Sequence, residues 1–95
     1  MFVTIAKLTV HPGKSRDLIQ KVEKLAPATR KCPGCVSYEL LQNNEDENIF
    51  IFHEVWESEK FFKEHFQIPE CKEFSNSLEG IAQGEVKPWE CHVIL

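Results

Sequence analysis

Residues 48–57 are Asn-Ile-Phe-Ile-Phe-His-Glu-Val-Trp-Glu, and this stretch decides the fold. Successive side chains of a strand point to opposite faces, so the residues separate into two sets. One face carries Ile49, Ile51, His53 and Val55, and the other carries Phe50, Phe52, Glu54 and Trp56. Because both sets are largely apolar, we expect both faces of this strand to be covered.

The first strand, residues 2–10, has the same two-sided pattern. Its apolar residues are Val3 and Ile5 on one face and Phe2, Ala6, Leu8 and Val10 on the other. The sequence His-Pro-Gly at residues 11–13 then favours a turn. A helix should follow, with Ser15 as its N-cap, and Pro27 should kink or end it because proline lacks a backbone donor.

The remaining patterns predict strands at residues 35–42 and 85–94 and helices at residues 15–31, 59–66 and 70–82. Pro88 places the last strand at an edge or a bulge. The resulting order is β-α-β-β-α-β within a single domain over residues 1–95. This order is typical of the α+β class, with an antiparallel four-stranded sheet and helices on one face.

Helices on one face leave the other face of the sheet uncovered. On a monomer that face would be a large apolar patch, formed by Val3, Ile5, Ile49, Ile51 and Val55. Packing against a second copy would bury the patch, so the sequence predicts a two-fold homodimer. His53 alternates onto the same face, and we interpret it as an interface residue.

Composition narrows the classes of function. The formal net charge of −4 argues against a nucleic-acid partner, because affinity for phosphate backbones comes from clustered Lys and Arg. No apolar run approaches the roughly 20 residues that a membrane-spanning helix needs. The N-terminus lacks the pattern of a signal peptide. We therefore expect a cytoplasmic protein with no membrane partner.

The four cysteines are expected to be free thiols in such a protein. Cys32-Pro-Gly-Cys35 has the spacing of a redox pair, but reactive pairs lie at a helix N-terminus, where the dipole lowers the thiol pKa. This pair follows a helix, so two ordinary thiols around a turn is the favoured interpretation. A zinc site needs four ligands, and one pair does not supply them, so we expect no metal.

Several short motifs together resemble the antibiotic-biosynthesis monooxygenase superfamily. They are Ala-Lys-Leu-Thr-Val-His-Pro-Gly at 6–13, Gly-Cys-Val-Ser-Tyr at 34–38, Glu-Val-Trp-Glu-Ser at 54–58, and then His65 and Phe74. The resemblance implies a ferredoxin-like fold and dimers whose sheets form a shared α+β barrel. It also implies activities that include cofactor-independent oxidation of quinols and polyketides, haem degradation and an isomerisation.

The resemblance further implies a pocket between the sheet and the helices. The expected catalytic residues are His65, as a general base with a pKa near neutrality, and Glu54, which would orient His65 or bind a substrate hydroxyl. The expected substrate-binding residues are Trp56, Tyr38, Phe52, Phe62 and Phe66. The alternatives are a half-packed histidine, a structural carboxylate in an ion pair, and aromatic side chains that only fill the core.

The sequence thus predicts a cofactor-independent monooxygenase that acts with dioxygen on a small quinol, phenol or polyketide-like aromatic compound. An isomerase, or a non-catalytic dimer that binds a small molecule, stays open as the alternative. Haem degradation is disfavoured, because the family's asparagine and axial histidine positions fall on Ala6 and near Ser75.

Overall fold

A computed structural model describes residues 1–84 and 86–95 of the chain. Its elements are β1 (Phe2–Thr9), α1 (Ser15–Arg30), β2 (Cys35–Gln42), β3 (Ile49–Trp56), α2 (Glu59–His65), α3 (Pro69–Asn76) and β4 (Pro88–His92). The predicted β-α-β-β-α-β order is confirmed, with two short helices in the second helical segment. The described residues form no helix with the length and apolar character needed to cross a bilayer.

The strands form an antiparallel sheet in the order β2-β3-β1-β4. β3 pairs with β1 along its whole length, from Phe2 opposite Trp56 to Thr9 opposite Ile49. β2 adds to the other side of β3, and β4 adds to the free side of β1. β4 is therefore an edge strand, as Pro88 predicts. This arrangement confirms the ferredoxin-like α+β fold.

The two faces of the sheet differ in burial as the alternation in β3 predicts. The even-numbered residues of β3 are all buried, and the odd-numbered ones are all half-buried. The buried set packs against the inward side of α1, where Leu18, Val22, Leu25, Ala26 and Thr29 are buried. The core therefore lies between the sheet and the helices, and the opposite sheet face stays open to solvent.

The predicted extent of α1 is confirmed to within one residue, since the helix continues past Pro27 to Arg30 and Pro27 does not end it. The carbonyl that Pro27 leaves without a helical donor belongs to exposed Glu23, where water can reach it, while Ala26 and Thr29 pack in the core. Ser15 is not the N-cap either, since its hydroxyl donates to the Glu47 carbonyl over 2.8 Å and ties α1 to the loop before β3.

The third helix is shorter than predicted and ends at Asn76 rather than at residue 82. Ser75, Asn76 and Ser77 are weak helix formers, and the Ser77 hydroxyl donates to the Phe74 carbonyl over 2.8 Å. The predicted start of the last strand, residue 85, lies outside the described residues, and the strand occupies Pro88–His92.

Candidate active site

A cavity of about 280 Å³ lies between the covered face of the sheet and helices α2 and α3. The sheet contributes most of its polar groups, and the helices contribute most of its aromatic wall. It is lined by Thr4, Ala6, Leu25, Tyr38, Phe52, Glu54, Phe62, His65, Phe66, Cys71, Phe74, Ser75, Leu78, Val86 and Pro88. A wider groove of about 490 Å³ beside α1 has no buried residue in its lining, so the cavity under α2 and α3 is the better candidate site.

The register of the sheet places three polar side chains of this cavity in one row. Glu54 on β3 lies opposite Thr4 on β1 and opposite Tyr38 on β2. All three residues are buried. Side chains directly opposite each other in a sheet are near neighbours, so the row forms a polar floor in an otherwise apolar cavity.

The carboxyl of Glu54 is held by a neighbour on its own strand. Trp56, two residues further along β3 and on the same face, donates its indole Nε1–H to Oε1 of Glu54 over 3.1 Å. Burial raises the pKa of Glu54, and the Trp56 hydrogen bond opposes part of that effect. Glu54 therefore keeps its proton to a higher pH than an ordinary carboxyl group.

His65 comes from the last turn of α2 and closes the cavity above Glu54. Its Nδ1 contacts the Phe62 carbonyl, which can only accept a hydrogen bond, so Nδ1 carries the proton in the neutral ring. Nε2 then has a free lone pair and lies 4.0 Å from Oε1 of Glu54. The imidazole stacks on the Trp56 indole with ring centroids 4.6 Å apart.

The electrostatics of the site favour an uncharged imidazole. Burial lowers the pKa of His65, and the contact with the Phe62 carbonyl opposes part of that effect. Burial raises the pKa of Glu54, so it disfavours the charged form of both groups. The arrangement is that of a general base in an apolar cavity with a carboxyl group beside it.

Tyr38 adds a second proton donor to the site. Burial, reinforced by Glu54, raises the pKa of the Tyr38 phenol well above its ordinary value. The hydroxyl therefore stays protonated and can donate a hydrogen bond to a ligand oxygen. The backbone carbonyl of Tyr38 is held by Arg30 at the end of α1, whose Nη2 lies 2.8 Å away.

The aromatic wall is built from α2, α3 and β3. Phe62 and Phe66 pack edge to face with centroids 5.0 Å apart, and Phe52 packs edge to face on Phe74 at 6.0 Å. Phe66 is 43% exposed. It can therefore contact both a ligand in the cavity and the solvent.

Of the residues expected at the site, six line the cavity: Tyr38, Phe52, Glu54, Phe62, His65 and Phe66. Trp56, expected to bind substrate, is 0% exposed and lies behind the wall, in contact with Glu54 and His65. Its place favours a positioning role. Sequence reasoning did not name the other lining residues as part of the site: Thr4, Ala6, Leu25, Cys71, Phe74, Ser75, Leu78, Val86 and Pro88. Thr4 gave a signal that could have been used, as a hydroxyl on the apolar face of β1.

The side chains that line the cavity can be compared with the ligands that a metal ion or a haem requires. Within residues 1–84 and 86–95, no three His, Cys, Asp or Glu side chains converge as metal ligands would. The resemblance places the asparagine and axial-histidine positions of the haem-degrading branch on Ala6 and near Ser75, and both of these residues line the cavity.

Comparison with known proteins identifies the family. The family model described as antibiotic biosynthesis monooxygenase matches residues 1–77. The chain belongs to this family. Membership of the antibiotic biosynthesis monooxygenase family gives the chain a monooxygenase-like, small-molecule-binding fold, in agreement with the cavity described above.

Individual relatives support the same fold. A protein of Pseudomonas aeruginosa is 26% identical, with a TM-score of 0.91 over 99% of this chain and 94% of its own. A Nitrosomonas europaea protein, provisionally named an antibiotic biosynthesis monooxygenase, has a TM-score of 0.95 at 17% identity, with both chains fully covered. An uncharacterized protein of Synechocystis sp. is 32% identical over 72 residues, which are 76% of this chain and 49% of the relative. The chain thus spans about half the length of this curated relative.

Proposed function

We propose that the chain is a cofactor-independent monooxygenase that oxidises a small phenol or quinol with dioxygen. The observation that carries the proposal is the position of His65, which lines a mostly apolar cavity with its Nε2 4.0 Å from Oε1 of Glu54. A phenol becomes electron-rich when it loses its proton, and the resulting phenolate can pass an electron to dioxygen directly. The protein then has to bind the ring, remove the proton and return protons later.

The residues present can serve each of these steps. Nε2 of His65 takes the phenolic proton, and the phenolate transfers one electron to dioxygen. The two radicals combine to form a C–O bond at a ring carbon. Loss of the hydrogen on that carbon and cleavage of the O–O bond leave a quinone carbonyl and hydroxide. His65 returns its proton to the hydroxide, so one oxygen atom enters the ring and the other leaves as water.

Glu54 and Tyr38 have complementary roles in this scheme. The Glu54 carboxyl lies 4.0 Å from Nε2, and in its ionised form it would stabilise the imidazolium that forms when His65 takes a proton. Tyr38 keeps its phenolic hydrogen and can donate it to an oxygen of the substrate. Both side chains sit in the same row of the sheet, so they hold one edge of the ring.

The size of the cavity favours the smaller substrates. An engineered apolar cavity of about 150 Å³ accepts benzene. A cavity of about 280 Å³ is therefore suited to compounds with one or two rings, and larger polyketide-like aromatics would need the cavity to open. The aromatic wall favours flat ligands, which can stack on Phe62 or Phe66.

The proposal is tested by oxygen uptake with chelator-treated protein and a panel of benzoquinols, naphthols and naphthoquinols. We expect quinone formation with one dioxygen consumed per product. His65→Ala should lower the rate roughly 100-fold or more, as expected for a lost general base. Glu54→Gln should also lower it, whereas His11→Ala, an exposed turn residue, should not.

The same assay separates the alternatives. Substrate conversion without oxygen uptake would favour an isomerase, because a neighbouring base and acid also suit proton transfer. A rise in melting temperature without conversion would favour a binding protein. Equal rates for the wild type, His65→Ala and the blank would reject the oxygenase.

We also propose that two copies pair through the open face of the sheet. Val3, Ile5, Ile49, Ile51 and Val55 are all half-buried there, although no helix covers them. Trp89 extends this face on β4 and is 62% exposed, and Val93, Ile94 and Leu95 beyond β4 are exposed as well. This largely apolar surface, which also carries Lys7 and the His53–Glu39 pair, supports a self-complementary interface between two sheets.

A further inference from the structure

The turn between α1 and β2 brings two cysteines together in a way that the spacing alone does not reveal. The Cys35 backbone N–H donates to the Cys32 carbonyl over 3.2 Å, which closes a β-turn with Pro33 and Gly34 at its centre. Gly34 has φ +80°, the signature of a type II turn. The ends of a β-turn lie within about 7 Å of each other between Cα atoms, and disulfides span about 4.4–6.8 Å.

We propose that Cys32 and Cys35 are an oxidisable dithiol that closes to a disulfide across this turn, with a low-molecular-weight disulfide as the oxidant. The thiolate of one cysteine attacks a sulfur of the oxidant and releases one small thiol. The other cysteine then attacks the mixed disulfide and releases the second small thiol. The pair loses two electrons and two protons, and the oxidant gains them.

Exposure distinguishes this pair from Cys71, and the turn distinguishes it from Cys91, which is exposed on β4. Cys32 and Cys35 are both half-buried, so a small oxidant can reach them, whereas Cys71 is buried in the cavity wall. The Cys32 thiol points back along α1 and lies 3.5 Å from the Ala28 carbonyl. Rotation of this side chain about its Cα–Cβ bond would break that contact and turn the sulfur away from α1.

The acidity of the thiols sets the character of the pair. Burial, then Glu70, raises the pKa of Cys32, and burial, then Glu54, raises that of Cys35. The reduced form therefore gains little from a stable thiolate, unlike the acidic pairs of disulfide oxidoreductases. The pair should oxidise slowly and then resist reduction, which is the behaviour of a restraint rather than of a redox catalyst.

The turn is in direct contact with the helix that carries His65. Gly34 lies under the Phe61 ring so closely that a Cβ on Gly34 would be 2.3 Å from its Cγ. The Gly34 carbonyl also accepts the Glu57 backbone N–H over 2.8 Å, at the end of β3. A covalent link across the turn would therefore restrain the surface on which α2 packs.

Peptide mass spectrometry tests the proposal directly on the full chain. Trypsin cleaves after Lys31 and Lys60, so both cysteines fall in the peptide of residues 32–60, separate from Cys71 and Cys91. The protein is incubated in buffers of increasing oxidised-to-reduced glutathione ratio and then alkylated. We expect this peptide to carry no alkyl group and to weigh two hydrogens less than the unmodified peptide. The change should persist in Cys71→Ser and be lost in Cys32→Ser and in Cys35→Ser.

Three results would overturn the proposed disulfide. The first is two alkylated thiols in peptide 32–60 when Cys91 is already modified. The second is a lasting single glutathione adduct on that peptide, and the third is a link to Cys71.

The contact with α2 has its own measurement. Amide hydrogen exchange over residues 59–65 should be slower in the oxidised than in the reduced wild type, and Cys32→Ser should exchange equally in both buffers. Unchanged exchange in the oxidised wild type would reject the coupling to α2.

Discussion

Trp56 and Glu54 lie two residues apart on β3 and face the same side of the sheet, where the indole Nε1 of Trp56 donates to Oε1 of Glu54 over 3.1 Å. The indole also supports the His65 ring from behind, at 4.6 Å between centroids. One buried side chain thus fixes both candidate catalytic groups. Trp56 is therefore a positioning residue, and its removal should affect both the Glu54 carboxyl and the His65 imidazole.

Trp56→Phe should raise the pKa of Glu54 further, because the hydrogen bond that opposes the effect of burial is lost. It should also destabilise the protein by about 1–3 kcal/mol, the usual range for a buried polar group that loses its partner. Urea unfolding at neutral pH and carboxyl NMR titration check the two effects. His11→Ala, in the exposed turn after β1, is the control and should change neither quantity.

Gly34→Ala should be more destabilising than the same change at Gly13. Both glycines have positive φ, +80° and +85°, so each alanine carries the left-handed penalty of about 1–2 kcal/mol. Only at Gly34 does the new Cβ also meet Phe61, at 2.3 Å, whereas Gly13 has no atom within 4 Å. Chemical denaturation of the two variants isolates the contact, and equal losses would show that Phe61 moves aside freely.

The stability of the protein should fall as the pH drops below 6.5, the ordinary pKa of histidine, in a way that depends on His65. Its pKa is lowered in the folded state, so the unfolded chain takes up the proton first. The stability that neutral His65 contributes is full above pH 6.5 and is lost as the pH falls towards the folded-state pKa.

Glu54 acts in the opposite direction, because its raised pKa makes the folded state lose stability as the pH rises above 4.5. The histidine effect is therefore measured in a Glu54→Gln background, by urea midpoints over a series of pH values. Adding His65→Gln should flatten the acid-side decline, whereas adding His11→Gln should leave it intact. An unchanged decline after loss of His65 would contradict the burial of a neutral imidazole.

Ile51→Glu should separate the proposed dimer into monomers. Ile51 lies at the centre of the open sheet face, and two carboxylates buried without partners in a symmetric interface would be costly. Light scattering at micromolar concentration checks the mass of the particle. Lys60→Glu, on the exposed surface of α2, should leave the dimer intact, and a monomeric wild type would reject the interface altogether.

Patterns that repeat with the period of an element predicted most of the fold. The alternation in β3 predicted which face is buried, and the spacing of Leu18, Val22 and Leu25 predicted the inward side of α1. Effects of a single residue were harder to predict, because tertiary contacts decide them. Pro27 is tolerated where its neighbours pack in the core, and the Ser15 hydroxyl finds a partner in a distant loop.

The same distinction applies to the candidate site: periodic patterns predicted some of its residues, and tertiary contacts decide the rest of its geometry. Glu54 and the aromatic side chains could be placed because they alternate on a strand or repeat on a helix. The row of Tyr38, Glu54 and Thr4 depends on the register between strands, which alternation alone does not define. The tautomer of His65 depends on one carbonyl in its own helix, and no sequence pattern indicates that contact.

The stack of His65 on Trp56 also has an optical consequence. A protonated imidazole in contact with an indole quenches its fluorescence, while a neutral imidazole does so much less. The other tryptophan, Trp89, is 62% exposed and can be replaced by Phe, which leaves Trp56 as the single emitter. The emission of that variant would then report the arrival of a proton on His65 in real time, even before any substrate is known.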